Sequence, residues 1–194
     1  MTAKLVFVVL LSFAPLMGFA QPRIFVALHE NTSLEQKGRA QLERLLETYE
    51  LDKWIFTDKV LIQSYVTPHS HPVLTLNTRY LDDDHEQLAT FLHEQIHWFA
   101  DEDSLKTEKI INTFKEMYPD VPVGNRQGAR DSYSTYLHLM VCWLEFDAVS
   151  QLLGTEKARA ILAKKSYYQW IYARVLEDGN QLAKVIRKNK MVID

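Results

Sequence analysis

The stretch Asp84–Ala100, DHEQLATFLHEQIHWFA, decides how this chain is read. Leu88, Leu92, Ile96 and Phe99 recur at three- and four-residue intervals, which predicts an amphipathic helix with one apolar stripe. Asp82, Asp83 and Asp84 precede it, and carboxylates there cap free amides and complement the helix dipole. His93 and His97 border the apolar stripe. Residues four apart are turned by only about 40° around a helix axis, so their imidazoles address one point. Glu94 lies about 100° from His93 and about 60° from His97, off the ligand line but within reach of a water held there. His-Glu-x-x-His on a helix is therefore a zinc-binding and water-activating arrangement. With 7 His in 194 residues, the pattern arises by chance in roughly one or two of a hundred such chains, so it needs a partner elsewhere.

The partner is the helical run Asp131–Leu153. Asp131, His138 and Glu145 are seven apart, offset by only about 20° per step, and share one face with Ser134. They interrupt the apolar LHLMVCWLEF run, Leu137–Phe146, and a polar column there is costly to bury unless something pairs with it. A catalytic zinc needs a third protein ligand and an open position. Glu145, deepest in the run, is expected to be that ligand beside His93 and His97. His138 is the rival ligand, or else a catalytic residue that donates to an oxyanion or orients substrate while Glu94 acts as base. Asp147 lies on the opposite face. Asp101, one turn beyond His97, either accepts an imidazole N–H or is solvated. Tyr133, Tyr136, Tyr167, Tyr168 and Tyr172 are all possible oxyanion donors, and the pair Tyr167–Tyr168 reads as packing with hydroxyls at the surface. His69 and His71, flanked by Pro68 and Pro72, read as an exposed loop, with a small metal or substrate site as the alternative.

Upstream, Arg23–Leu28 reads as a first strand, and Thr32 or Ser33 caps a helix over about residues 34–49. Trp54–Phe56 and Val60–Ile62 are β-prone pieces, two strands of a hairpin or one bent strand, and Val73–Arg79 reads as a half-covered strand. Downstream, helices are expected at residues 104–117 and 155–165, then at 167–177 and 181–188, the last two split by Asp178-Gly179-Asn180. Tyr118–Gln127 is the longest turn-rich stretch of the interior, a rim, a lid or a connector. The fold class is α+β: a small N-terminal mixed sheet with a backing helix, the motif helix, and a mostly helical C-terminal half.

A formal charge of −3 gives no general attraction to nucleic acid. Residues 1–20 read as a cleaved secretory signal: Lys4, an apolar run from Leu5, and Gly18-Phe19-Ala20 at the cleavage site. The mature chain, 21–194, is then one secreted or periplasmic domain with no stable membrane insertion. Export permits disulfides, yet Cys142 is the single cysteine and reads as a buried small apolar residue.

His93-Glu94-Gln95-Ile96-His97 with a glutamate on a downstream helix resembles the gluzincin branch of the zincin metallopeptidases. The order of strand, helix, strands, motif helix and helical remainder is similar to their catalytic core. The resemblance implies one catalytic Zn²⁺ on His93, His97 and Glu145, water activation by Glu94, and a peptide or protein substrate lying along Val73–Arg79. The chain carries neither the Asn-Glu-x-x-x-Asp glutamate helix of thermolysin-like enzymes nor the extended histidine motif of metzincins. The expectation is an exported zinc-dependent hydrolase, with a non-catalytic zinc-binding or interaction domain as the alternative.

Overall fold

The computed structural model describes residues 24–194; the expected leader, residues 1–20, and the expected mature start near Gln21 lie outside them. The chain is mixed α and β and mostly helical. Strand β1 (Phe25–Leu28), helix α1 (Ser33–Thr48), a 3₁₀ turn (Asp52–Trp54), β2 (Lys59–Ile62) and β3 (Leu74–Leu76) precede five further helices. These are α2 (Asp84–Glu102), α3 (Ser104–Met117), α4 (Ser132–Leu153), α5 (Thr155–Ala163) and α6 (Gln169–Lys188).

The sheet, ordered β1-β2-β3, is parallel throughout, pairing Val26 with Val60 and Val60 with Leu74. The mixed sheet expected from sequence is thereby corrected: alternation of side chains reports a strand but not its direction. The connections, α1 in one case and residues 63–73 in the other, are long enough for parallel crossovers. The antiparallel contact among the described residues is a single bridge, His69 with Thr75. Trp54–Phe56 is no strand; Trp54 ends the 3₁₀ turn. β3 is shorter than expected and buried at all three residues, because it is covered rather than half-exposed.

Glu35 builds the first crossover. Thr32 and Glu35 form a reciprocal capping box, and the Glu35 carboxylate also accepts the Ser64 amide at 3.2 Å, tying the start of α1 to the segment after β2. Gly38 lets α1 lie close to the sheet, since a Cβ there would stand 2.9 Å from Ile62 Cγ2.

Asp83 caps α2 as the sequence predicts, accepting the Glu86 amide at 3.1 Å, and Asp131, expected on the polar face of the next long helix, instead caps α4, accepting the Ser134 amide at 2.7 Å. Helix α4 packs on α2, α3, α5 and α6, which is why its residues are apolar nearly all round. α6 is one helix, not the two pieces the Asp178-Gly179-Asn180 sequence suggests. Gly179 sits where α6 meets α4, and its carbonyl accepts Trp143 Nε1–H at 2.9 Å, so the residue serves a helix contact rather than a break. The stretch 118–127 is a connector: the carbonyls of Arg126 and Gln127 accept the first amides of α6, from Gln169 at 2.8 Å and Trp170 at 3.1 Å. No helix among the described residues is long and apolar enough to cross a membrane.

Candidate metal centre

Helices α2 and α4 pack directly on each other, which brings the two polar faces together. His93, His97 and His138 each offer a ligand nitrogen, and these atoms lie within 4.8 Å of one another. The ring centroids are 5.0 Å apart for His93 and His97, 4.9 Å for His97 and His138, and 5.5 Å for His93 and His138. The cluster borders a cavity of about 620 Å³, whose lining also includes Glu94, His69, Arg79, Arg130 and Tyr168.

Hydrogen bonds decide which nitrogens point where. His138 Nδ1 lies 2.6 Å from the Ser134 carbonyl, an acceptor only, so Nδ1 carries the proton and donates. His93 Nδ1 lies 2.9 Å from Glu145 Oε2 and donates in the same way. Nε2 of His138 is left with its lone pair, which is the arrangement a metal requires; on His93, burial is outweighed by Cys142 and Glu145, which hold the ring well above its ordinary value, so an ion there would have to displace the Nε2 proton. Burial pushes His138 down to about 3, helped by the neighbouring His93. Burial likewise drives His97 well below its ordinary value, with His93 and His138 adding to the effect. Two of the imidazoles are therefore held neutral, and neutral imidazole is the metal-binding form.

Glu145 is fully buried. Its Oε2 accepts from both His93 and Tyr172 Oη, the latter at 2.8 Å. Lys165 Nζ, also buried, stands 3.9 Å from Oε1 and 2.7 Å from Glu86 Oε2. Burial alone would raise the Glu145 carboxyl. The His93 hydrogen bond, the Lys165 charge and Tyr172 outweigh it and hold the group below the usual carboxylate range. His93, Cys142 and Glu145 form a second group whose ligand atoms lie within 4.8 Å. In that group burial raises the Cys142 thiol above its ordinary value, and the Lys165 ammonium already supplies positive charge beside Glu145.

Glu94 is nearly buried and receives no hydrogen bond among the forces acting on it; burial raises its carboxyl to about 7. Asp131 caps α4 and does not enter the cluster. Asp101 pairs with His71 Nε2 at 3.1 Å rather than with His97. Both histidines are exposed, as expected; His71 stacks on Trp98 at 4.2 Å between centroids while His69 lines the cavity, so the two do not act together. β3 does not offer Thr75 to a peptide, because His69 exchanges both backbone bonds with it, at 2.7 and 3.1 Å.

Among the tyrosines, Tyr133 donates to Glu108, Tyr136 to the Tyr118 carbonyl and Tyr172 to Glu145. Tyr167 and Tyr168 line the cavity, together with Tyr80. The Tyr168 ring lies 4.4 Å from His138, not at the surface, and its backbone is left-handed, φ 53°, just before α6. A non-glycine residue in that region costs about 1 kcal/mol or more, and the α6 amides bonded to Arg126 and Gln127 hold it there. Lys165 and Gln95 carry no signal in the sequence. Lys165 is one basic residue among many, and Gln95 occupies a variable position of the motif.

Comparison with protein-family models, with curated proteins and with solved structures finds no match to the chain.

Proposed function

We propose that the protein is a zinc-dependent hydrolase of amide bonds in which His93, His97 and His138 hold the ion and Glu94 is the general base. One observation carries this reading: three imidazoles converge beside a buried carboxylate without hydrogen-bond donors, at the wall of one cavity. Glu145, expected from sequence as third ligand, takes a different part in this reading. Its Oε2 is committed to His93 and Tyr172, its Oε1 faces Lys165, and it does not line the cavity. It orients His93 and raises that ring's basicity, a role that carboxylates behind zinc-bound histidines commonly fill. A set of three histidines, two of them held neutral, with an open fourth position suits catalytic zinc.

Zinc, when bound, polarises the scissile carbonyl and lowers the pKa of water. Glu94 accepts a proton from the attacking water at its carboxylate, then delivers that proton to the leaving nitrogen. A carboxyl near 7 is matched to both tasks at neutral pH. Tyr168 supports the developing oxyanion through its hydroxyl, which burial keeps protonated by raising it to about 12. The Ser134 carbonyl fixes the His138 tautomer throughout.

Glu94→Gln tests the reading. The variant is expected to retain stoichiometric zinc and to lose cleavage of a mixed peptide library. Wild-type protein that binds zinc but cleaves nothing, with Glu94→Gln indistinguishable from it, would point to a non-catalytic zinc-binding domain.

A further inference from the structure

The cavity beside the histidine cluster runs against the charge of the chain. The protein carries a formal net charge of −3, yet the charged side chains lining this cavity are Arg79, Arg130 and Glu94. Arg130 places Nε 3.1 Å from Asp131 Oδ2, which leaves its terminal nitrogens for other partners. Arg79 makes no ion pair among the described residues, while its backbone is fixed from both sides. The Arg79 amide donates to Asn77 Oδ1 at 3.1 Å, Asn77 Nδ2 donates to the Val66 carbonyl at 2.8 Å, and the next carbonyl, of Tyr80, accepts Gln41 Nε2 at 2.8 Å. The exposed, unpaired Arg79 guanidinium lines the cavity from an anchored backbone and can receive a carboxylate through two parallel N–H donors.

The sheet edge adds an independent restriction. Thr75 of β3 is paired with His69, so an extended polypeptide cannot add there as a fourth strand. Recognition then falls to side chains at the cavity rather than to backbone pairing along a strand.

We propose that Arg79, with Arg130 on the same cavity, forms an anion subsite that takes the free carboxylate of the substrate. The substrate class is N-acylated amino acids or short peptides cut close to their C-terminus. The assignment of this ligand as an amide-bond substrate rests on the hydrolase reading above; the anion subsite itself does not.

Matched probes separate the two. N-benzoylglycine and N-benzoylglycinamide, titrated by calorimetry against the full chain, measure binding. N-benzoylglycylglycine and its C-terminal amide measure cleavage, and zinc content is determined on the same samples. The acid is expected to bind at least about tenfold more tightly than the amide, as a charge-assisted hydrogen bond allows. Arg79→Ala is expected to erase that preference while leaving amide binding and the thermal midpoint unchanged, and Arg79→Lys to restore it in part. Equal binding of acid and amide would overturn the subsite, as would an acid preference that survives Arg79→Ala, since the carboxylate would then be held elsewhere. Selective acid binding lost in Arg79→Ala, in a protein that takes up no zinc, would keep the subsite and overturn the hydrolase reading. Stoichiometric zinc with cleavage indifferent to the terminal carboxylate would do the reverse.

Discussion

Gln95, between the two histidines of the motif, is expected to hold the fold rather than serve the chemistry. Its side chain is fully buried. Oε1 accepts the Phe56 amide at 2.8 Å and the Thr57 amide at 2.9 Å, and Nε2 donates to the Thr57 carbonyl at 2.9 Å. The motif helix thereby satisfies three backbone groups of the segment leading into β2. Gln95→Leu keeps much of the volume and removes all three bonds. A buried polar group left unpaired costs about 1–3 kcal/mol. Phe56 and Thr57 are themselves only partly buried, so water reaches some of the released groups and the net loss is expected near 2–4 kcal/mol. At about 2–4 °C per kcal/mol for a chain of this size, the thermal midpoint should fall by about 5–15 °C. Hydrogen exchange of the Phe56 and Thr57 amides should accelerate well beyond that of the α4 core, while zinc stoichiometry stays unchanged. A midpoint within about 2 °C of wild type, with both amides still protected, would refute the reasoning.

Tyr168→Phe removes one hydroxyl from the cavity wall. It is expected to lower kcat by about 10²-fold with zinc content and KM retained; unchanged kcat would exclude Tyr168 as oxyanion donor. Lys165→Met takes the partner from Glu86 in a buried ion pair and leaves Glu145 with His93 and Tyr172 alone. Breaking such a pair costs about 3–5 kcal/mol, and Lys165→Met/Glu86→Gln should recover part of the loss in a denaturant titration. A single variant as stable as wild type would show that Glu145 does not depend on that charge. Gly38→Ala sets about 1 kcal/mol of helix propensity against a Cβ contact of 2.9 Å with buried Ile62. Overpacking typically costs about 1–3 kcal/mol, so no gain in stability is expected; a clear rise in the thermal midpoint would contradict the close approach of α1 to β2.

The helices were legible because their signals are local. Asp83 caps where the acidic run predicts, and the Leu88–Leu92–Ile96 stripe is buried as its spacing predicts. The seven-residue spacing of His138 and Glu145 correctly placed both on the face of α4 that meets His93. What spacing could not divide was the labour between them. That depends on depth: Glu145 lies behind His93 with Lys165 and Tyr172, while His138 lines the cavity. Lys165 and Tyr172 arrive from beyond α4 in the chain, so no local pattern announces them. Strand direction was hidden for the same reason, being set by crossovers rather than by alternation. Gly179 misled because a glycine flanked by Asp178 and Asn180 reads as a turn, whereas α6 continues through it and its carbonyl accepts Trp143 Nε1–H.

The division of labour between His138 and Glu145 is tested most directly by zinc titration of two variants, His138→Ala and Glu145→Gln, each prepared without a histidine tag. Glu145→Gln keeps an oxygen for His93 and Tyr172, and is expected to bind one zinc with affinity reduced about 10–100-fold. His138→Ala is expected to lose stoichiometric zinc altogether. Loss of zinc from Glu145→Gln, with His138→Ala still holding one tightly bound ion, would contradict the account and return Glu145 to the ligand set.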